Sequence, residues 1–387
     1  MISFENTEIA FRIRTDYALK RARILFQLVS SNFLVKTGKE LTAFCIEFGI
    51  PVNWIIKPTI FSHFCGGENL TECVSAVKSL ADYKVKSILD FSVEGKESEA
   101  DISAAMEETL RSIQNASGNN NIPFAVFKPT AFCKKSLLEK ISSGILLSDD
   151  ENNQASLFER RIEILCETAS KNNVPVLIDA EDYCFQEAID RVVEKMMMKY
   201  NREKAVVFNT LQMYRKDRIL FLKKSIEHAR GNKYFAGFKF VRGAYMERER
   251  DRAQKLGYPS PIHDTKADTD SAYNLALKIA FDHLDFVSIF AGTHNEESCR
   301  YLCALMKEKG IENAHPKIFF SQLYGMSDHI SFNLAHLGYN VAKYVPYGPV
   351  KHVLPYLIRR AEENTSVKGQ TGRELGMILT EMKRRKK

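Results

Sequence analysis

The 387-residue sequence is poor in the features that mark secreted, membrane-spanning or disordered chains. Its eight cysteines are scattered without pairing rhythm and none falls in a CxxC pair, so neither a disulfide framework nor a zinc knuckle is indicated. A reducing compartment fits that usage. No apolar run approaches the ~20 residues needed to span a bilayer. The start, MISFENTEIAFRIRTDYALKRARILF, lacks the compact apolar core of a secretory signal, and its acidic residues argue against a transit peptide. These absences predict a soluble or peripheral protein, cytoplasmic and held at most at the inner face of the membrane. Glycine and proline are not in excess, and 45% hydrophobic with 27% charged residues describes a chain with a sizeable core rather than a disordered one. No GxGxxG sequence opens a helix after the first strand, so the usual dinucleotide fingerprint is missing.

The formal charge is +7, but acidic and basic residues alternate through most of the chain and no long basic face emerges. That pattern weighs against a nucleic-acid partner. Much of the excess sits in Lys383, Arg384, Arg385, Lys386 and Lys387. Such a run reads either as a solvated tail or as a contact for anionic lipid, worth about 1 kcal/mol per charge. Ahead of it, Leu375, Ile378, Leu379 and Met382 form one helical stripe, which suits a membrane-docking element or a face packed on the protein itself.

Residues 1–84 read mostly as helix, with helical apolar spacing in ALKRARILFQLVSSNFLV and a capping pair, Asn69 and Glu72, near FCGGENLTE. From there the pattern changes to eight short apolar runs: VKSILDFSV from Val85, FAVFKPT from Phe124, PVLIDAED from Pro175, AVVFNTLQMY from Ala205, FKFVRGAY from Phe238, DFVSIFAGTH from Asp285, IFFSQLYG from Ile318 and VAKYVPYG from Val341. Continuous apolar runs alternating with amphipathic helices imply parallel strands buried on both faces. Eight repeats favour a closed (βα)8 barrel of TIM type, and the length suits one such barrel of about 250 residues with extensions. The expected division is a helical extension over 1–84, the barrel over 85–364 and a basic tail over 365–387. LLSDDENNQAS reads as a surface loop. MERERDRAQKLG reads as a charged helix, and it and the following YPSPIHDTKADTD read as an insertion decorating the rim.

Polar residues gather at the C-terminal ends of these runs: Lys128, Asp179, Gln212, Arg242 with Tyr245, Thr293 with His294, Gln322 and Tyr344. Any one could be a structural hydrogen-bonding group. In a barrel, however, that rim is where active sites are built, so dispersed positions would converge on one mouth. After the last strand, VLPYLIRRAEEN carries Arg359, Arg360 and Glu363. Two adjacent guanidinium groups suit a small carboxylate through paired charge-assisted bonds, and Glu363 stands four residues after Arg359, close enough to orient it. Spacing alone favours a solvated helix face with an intrahelical ion pair. Gly243 and Ala244 at a strand end permit close approach of a planar ligand and Tyr245 can wall a pocket, although a simple turn reads the same way. His294 is a candidate metal ligand, acid or base, with Cys299 and Cys303 following at helical spacing. No carboxylate or histidine partners are arranged around it, so no metal is expected.

FVRGAY at 240–245, YVPYG at 344–348 and YLIRRAEEN at 356–364 resemble, in order and spacing, the signature segments of the proline dehydrogenase family in its stand-alone form. FKPTA, LIDAED, AGTHN and QLYGM match as well, and the likeness runs from about Phe61 to Asn364. The resemblance implies a distorted (βα)8 barrel, non-covalent FAD, oxidation of L-proline to Δ1-pyrroline-5-carboxylate, and a membrane quinone as electron acceptor. By position it implies that Arg359, Arg360 and Lys128 bind the substrate carboxylate, and that Tyr245, Leu323 and Tyr344 enclose the pyrrolidine ring with Ala244 completing an apolar wall. Asp179 and Glu363 would hold the cations. For the flavin it implies Gln212, Lys239, Val241, Gly243, Ala244, Thr265, Lys266, Thr293, His294 and Asn295. Lys239 stands where some members carry arginine, which keeps the charge but not a bidentate contact. The family also occurs fused to an aldehyde dehydrogenase and sometimes to a DNA-binding domain, neither of which is expected here. Three other readings stay open: a 4-hydroxyproline dehydrogenase, for which a smaller residue than Tyr344 is implied; a barrel lyase using Lys128 as a Schiff base; and a non-enzymatic basic protein that binds lipid or nucleic acid through its tail.

Overall fold

The computed structural model describes residues 2–31, 36–37, 53–92, 98–366 and 370–386, with the side chains of 362–366 and 370–371 outside that description. Eight strands follow the eight apolar runs: β1 Lys86–Phe91, β2 Ala125–Phe127, β3 Val176–Ile178, β4 Val207–Gln212, β5 Ala236–Val241, β6 Val287–Gly292, β7 Ile318–Leu323 and β8 Val341–Tyr347. They form one sheet in the order β1-β8-β7-β6-β5-β4-β3-β2 with helices between successive strands, the (βα)8 barrel class expected from the sequence. Every residue of β4 and of β8 is buried, which is why these strands read as unbroken apolar runs rather than as alternating ones.

One element was misread from sequence. LLSDDENNQAS is not a loop: Ser148 caps a 23-residue helix, Asp149–Lys171, in a reciprocal capping box with Glu151. Polar composition conceals it because the exposed face comes first. Its apolar face, Phe158, Ile162, Leu165, Cys166 and Ala169, lies in the later turns.

The chain divides into two compact units, Gly95–Ser321 and Ile2–Glu94 with Gln322–Lys387. The first carries β2 to β6 and β7 through Ser321. At its core Phe124 meets Phe208, Phe290 and Phe319 edge to face, with centroids 4.9 to 5.6 Å apart. In the second, β1 and β8 pair in parallel from Lys86 opposite Ala342 to Phe91 opposite Tyr347. Asn69 caps the helix Leu70–Ala81 as its spacing suggested, accepting the Glu72 N–H at 3.0 Å.

The same unit joins the two ends of the chain. The C-terminal helix Gln370–Arg384 buries Met377 and Ile378 among Ala10, Phe11, Leu19, Ala22, Phe26 and Val29, with Leu375 and Met382 packed at the edge. Three of the four stripe residues therefore face protein, while Leu379 remains 42% exposed. The basic tail is engaged too. Arg385 donates to Asp16 at 2.9 Å and to the carbonyls of Phe11 and Arg14, and Arg384 pairs with the buried Glu381. Among the described residues no helix is long and apolar enough to cross a membrane.

Candidate active site

In the first unit the ends of β2 and β3 and the interior of β5 bring a carboxylate between two cations. Asp179, just after β3, accepts Lys239 Nζ from β5 at 2.6 Å and Lys128 Nζ from the end of β2 at 3.4 Å. Burial opposes a charge on Asp179, yet Lys239 and then Lys128 overcome it and hold the carboxyl below the usual range. Lys128 keeps 21% of its side chain exposed.

Two residues further on, Glu181 is buried and accepts the Thr130 N–H at 2.8 Å and the Thr130 hydroxyl at 2.5 Å. Burial pushes its carboxyl up to about 7 against those two bonds. Gln212, at the end of β4, donates its amide to the Glu181 carbonyl at 2.9 Å. Its buried Oε1 has no donor among the described residues. The register places Gln212 opposite Val241, and Met213 N–H bonds the Val241 carbonyl at 2.8 Å.

Gly243 lies at φ +131°, and a Cβ there would stand 2.5 Å from the Tyr214 ring, so glycine is required for conformation and for space. Tyr245 precedes the helix Met246–Leu256, and the Arg248 guanidinium lies 4.2 Å from its ring centroid while pairing with Asp182.

A second cluster is organised by Arg242. Its guanidinium reaches Asp270 at 2.7 Å, the Thr293 hydroxyl at 2.6 Å and the Ser298 hydroxyl at 2.9 Å, and lies 4.4 Å from the Tyr273 centroid. Asp270 also takes Lys266 at 2.5 Å. Thr265 and Asn295 cap the helices Lys266–Phe281 and Glu296–Glu308, so two helix N-termini, whose partial positive charge favours anions, belong to this cluster. His294 is half-buried between Thr293 and Asn295.

The second unit holds the remaining positions. Leu323 packs against the apolar cluster to which Phe64, Met326, Leu354 and Leu357 belong. Tyr344 is 7% exposed, and its carbonyl accepts the Tyr324 N–H at 2.8 Å. On the helix Val350–Ser366, Arg359 is half-buried and Arg360 buried, its guanidinium 5.0 Å from the Tyr356 centroid. The side chain of Glu363, and with it the proposed link to Arg359, lies outside the described residues.

The structure thus joins Lys128, Asp179 and Lys239 directly, and links Lys266 to Thr293 through Asp270 and Arg242. Sequence reasoning missed Glu181 and gave Arg242 no role beyond its place on the rim. Glu181 stood inside LIDAED, two residues after Asp179, and that spacing was its only signal. Among the described residues no group of His, Cys, Asp and Glu could hold a metal ion.

Residues 73–373 match the family model described as proline dehydrogenase. The chain is 35% identical over 324 residues to the carbapenem antibiotics biosynthesis protein CarD of Pectobacterium carotovorum subsp. carotovorum, with 84% of each chain covered. It is 32% identical over 374 residues to the mitochondrial proline dehydrogenase 1 of Arabidopsis thaliana, covering 86% of this chain and 75% of that one. Among solved structures, proline utilization A from Bdellovibrio bacteriovorus aligns with a TM-score of 0.74 at 20% identity, over 93% of this chain and 38% of that one. At that identity the likeness concerns the fold, and this chain spans under two fifths of that protein.

Proposed function

Because the chain belongs to the proline dehydrogenase family, we propose that it oxidises L-proline to Δ1-pyrroline-5-carboxylate with FAD as cofactor and a membrane quinone as the final acceptor. The observation that carries this reading is the Lys128–Asp179–Lys239 cluster, built from β5 and the ends of β2 and β3. Lys128, held beside Asp179 and still part-exposed, is an ammonium suited to a small acid. Lys128 contributes that charge to the substrate carboxylate together with Arg359 and Arg360, while Asp179, and Glu363 by position, keep the cations oriented. Tyr245, Leu323, Tyr344 and Ala244 form the apolar walls about the ring.

The residues assigned to FAD are Gln212, Lys239, Val241, Gly243, Ala244, Thr265, Lys266, Thr293, His294 and Asn295. Two features support the fit. Gln212 Oε1 is a buried acceptor that wants an N–H or O–H donor. The helix starts at Lys266 and Glu296 suit an anionic pyrophosphate. When bound, FAD supplies the hydride acceptor. The protein positions the ring and excludes water, and positioning accounts for much of a rate gain of this kind. The reacting amine must be unprotonated, and a cationic pocket favours that form by repulsion, so no dedicated general base is assigned. The C-terminal helix uses most of its stripe within the protein, and membrane contact would fall to exposed residues such as Leu379, Lys383 and, just past the helix, Lys386.

The test is the absorption spectrum of the purified protein without oxygen. A flavin spectrum that bleaches on adding proline is expected; a colourless preparation, or a yellow one indifferent to proline, would refute the proposal.

A further inference from the structure

Lys343 is a fully buried lysine in the middle of a strand, and nothing in the chemistry above uses it. Its neighbour Tyr344 faces the opposite side of β8, since successive side chains alternate. The Lys343 ammonium finds three acceptors: Asp328 Oδ1 at 2.9 Å, the Leu323 carbonyl at 3.3 Å and the Met326 carbonyl. These match the three N–H bonds it can donate.

Two of the acceptors are backbone atoms of the turn leaving β7, and that turn is held from every direction. Gly325 and Ser327 both have positive φ, +79° and +49°, and Ser327, a residue with a Cβ, does not adopt that conformation unaided. His63 Nε2 lies 2.9 Å from the Gly325 carbonyl, and a Cβ on Gly325 would meet the His63 carbonyl at 2.3 Å. Tyr324 donates its N–H to the Tyr344 carbonyl at 2.8 Å. Glu374, from the C-terminal helix, accepts the Ser327 N–H. Arg14, from the N-terminal segment, donates to Asp328 at 3.0 and 3.2 Å.

We propose that Lys343 is a positioning residue for the substrate pocket: by binding the Leu323 and Met326 carbonyls together with Asp328, it fixes the β7 turn so that Leu323 keeps its place relative to Tyr344. The inference rests on the reading of Leu323 and Tyr344 as walls about the proline ring. An apolar side chain could fill the volume of the buried lysine, at a cost in stability because one partner of a buried ion pair is removed and Asp328 is left to Arg14. It could not hold two carbonyls, and that difference separates positioning from plain packing. Arg14 and Glu374 extend the same clamp to both ends of the chain.

The test compares Lys343→Met and Glu374→Ala with Tyr344→Ser as a control, all as flavin-loaded full-length protein. KM and kcat for proline are measured, with the ratio of kcat/KM for proline over 4-hydroxyproline. Lys343→Met is expected to raise KM about tenfold as the Leu323 wall shifts, about 1.4 kcal/mol of binding, to leave kcat nearly unchanged and to lower the ratio. Glu374→Ala should shift both in the same direction by less. A lower melting temperature with wild-type KM and ratio in Lys343→Met would overturn the inference. If that variant is insoluble, an unchanged KM and ratio in Glu374→Ala overturns it instead. Should Tyr344→Ser leave the preference untouched, the pocket reading fails, and the clamp with it. A control that responds while both clamp variants do not defeats the clamp alone.

Discussion

Glu181 offers a prediction whose size follows from its surroundings. Burial lifts its carboxyl from an ordinary 4.5 to about 7, although both hydrogen bonds from Thr130 and the charge of Lys128 favour ionisation. The unfolded chain releases this proton near 4.5 and the folded chain keeps it to about 7. Between those values the folded state binds more protons, so stability falls as pH rises, by about 1.4 kcal/mol per pH unit, and levels off above the folded value. Glu181→Gln removes the titration. Its amide oxygen can still accept the Thr130 N–H, and its NH2 can donate to the Thr130 hydroxyl. At pH 5 the two proteins should unfold within about 1 kcal/mol of each other, whereas at pH 8 the variant should be the more stable by about 3 kcal/mol. Urea unfolding followed by far-UV circular dichroism, at constant ionic strength, reads this from midpoints at matched m-values. Every other titrating group is common to both proteins and cancels. Parallel stability curves across the range would show that Glu181 ionises in the folded protein as it does in water.

Arg359→Ala and Arg360→Ala should each raise KM for proline by about 10–100-fold, the size expected for a hydrogen bond to a charged group, while flavin content stays at wild-type level; unchanged KM values would remove the pair from the substrate site. Ending the chain at residue 369 removes Met377 and Ile378 from the cluster they share with Phe11, Leu19 and Phe26, a loss of about 3–6 kcal/mol at the usual value of a buried apolar side chain. A matching fall in urea midpoint is expected, and a midpoint equal to the full-length protein would show that the helix contributes nothing to folding.

The barrel was legible because strands buried on both faces write themselves as apolar runs, as in β4 and β8, where every residue is buried. The rim was legible for the same reason: a polar residue ending such a run, like Lys128 or Asp179, stands out against it. The helix Asp149–Lys171 was hidden by its own polar face, although the Ser148 and Glu151 capping box was present to be read. Arg242 was visible at a strand end, but its hold on Asp270, Thr293 and Ser298 depends on residues up to 56 positions away. Lys343 was harder still. A lysine within an apolar run looks like solvent contact, and its indirect partner Arg14 lies 314 residues from Asp328. The stripe on the C-terminal helix showed that some apolar surface would cover it. Only packing identified that surface as the N-terminal helices.

The claim on which the functional reading turns is that a cationic site grips the carboxylate of a small amino acid beside the flavin. Titrating the oxidised protein anaerobically with proline and with prolinamide, which lacks the acid group, isolates that contribution. Bleaching by proline is expected, with prolinamide needing at least about 100-fold more, since several charge-assisted bonds are lost together. Equal bleaching by the two compounds at equal concentration would contradict it.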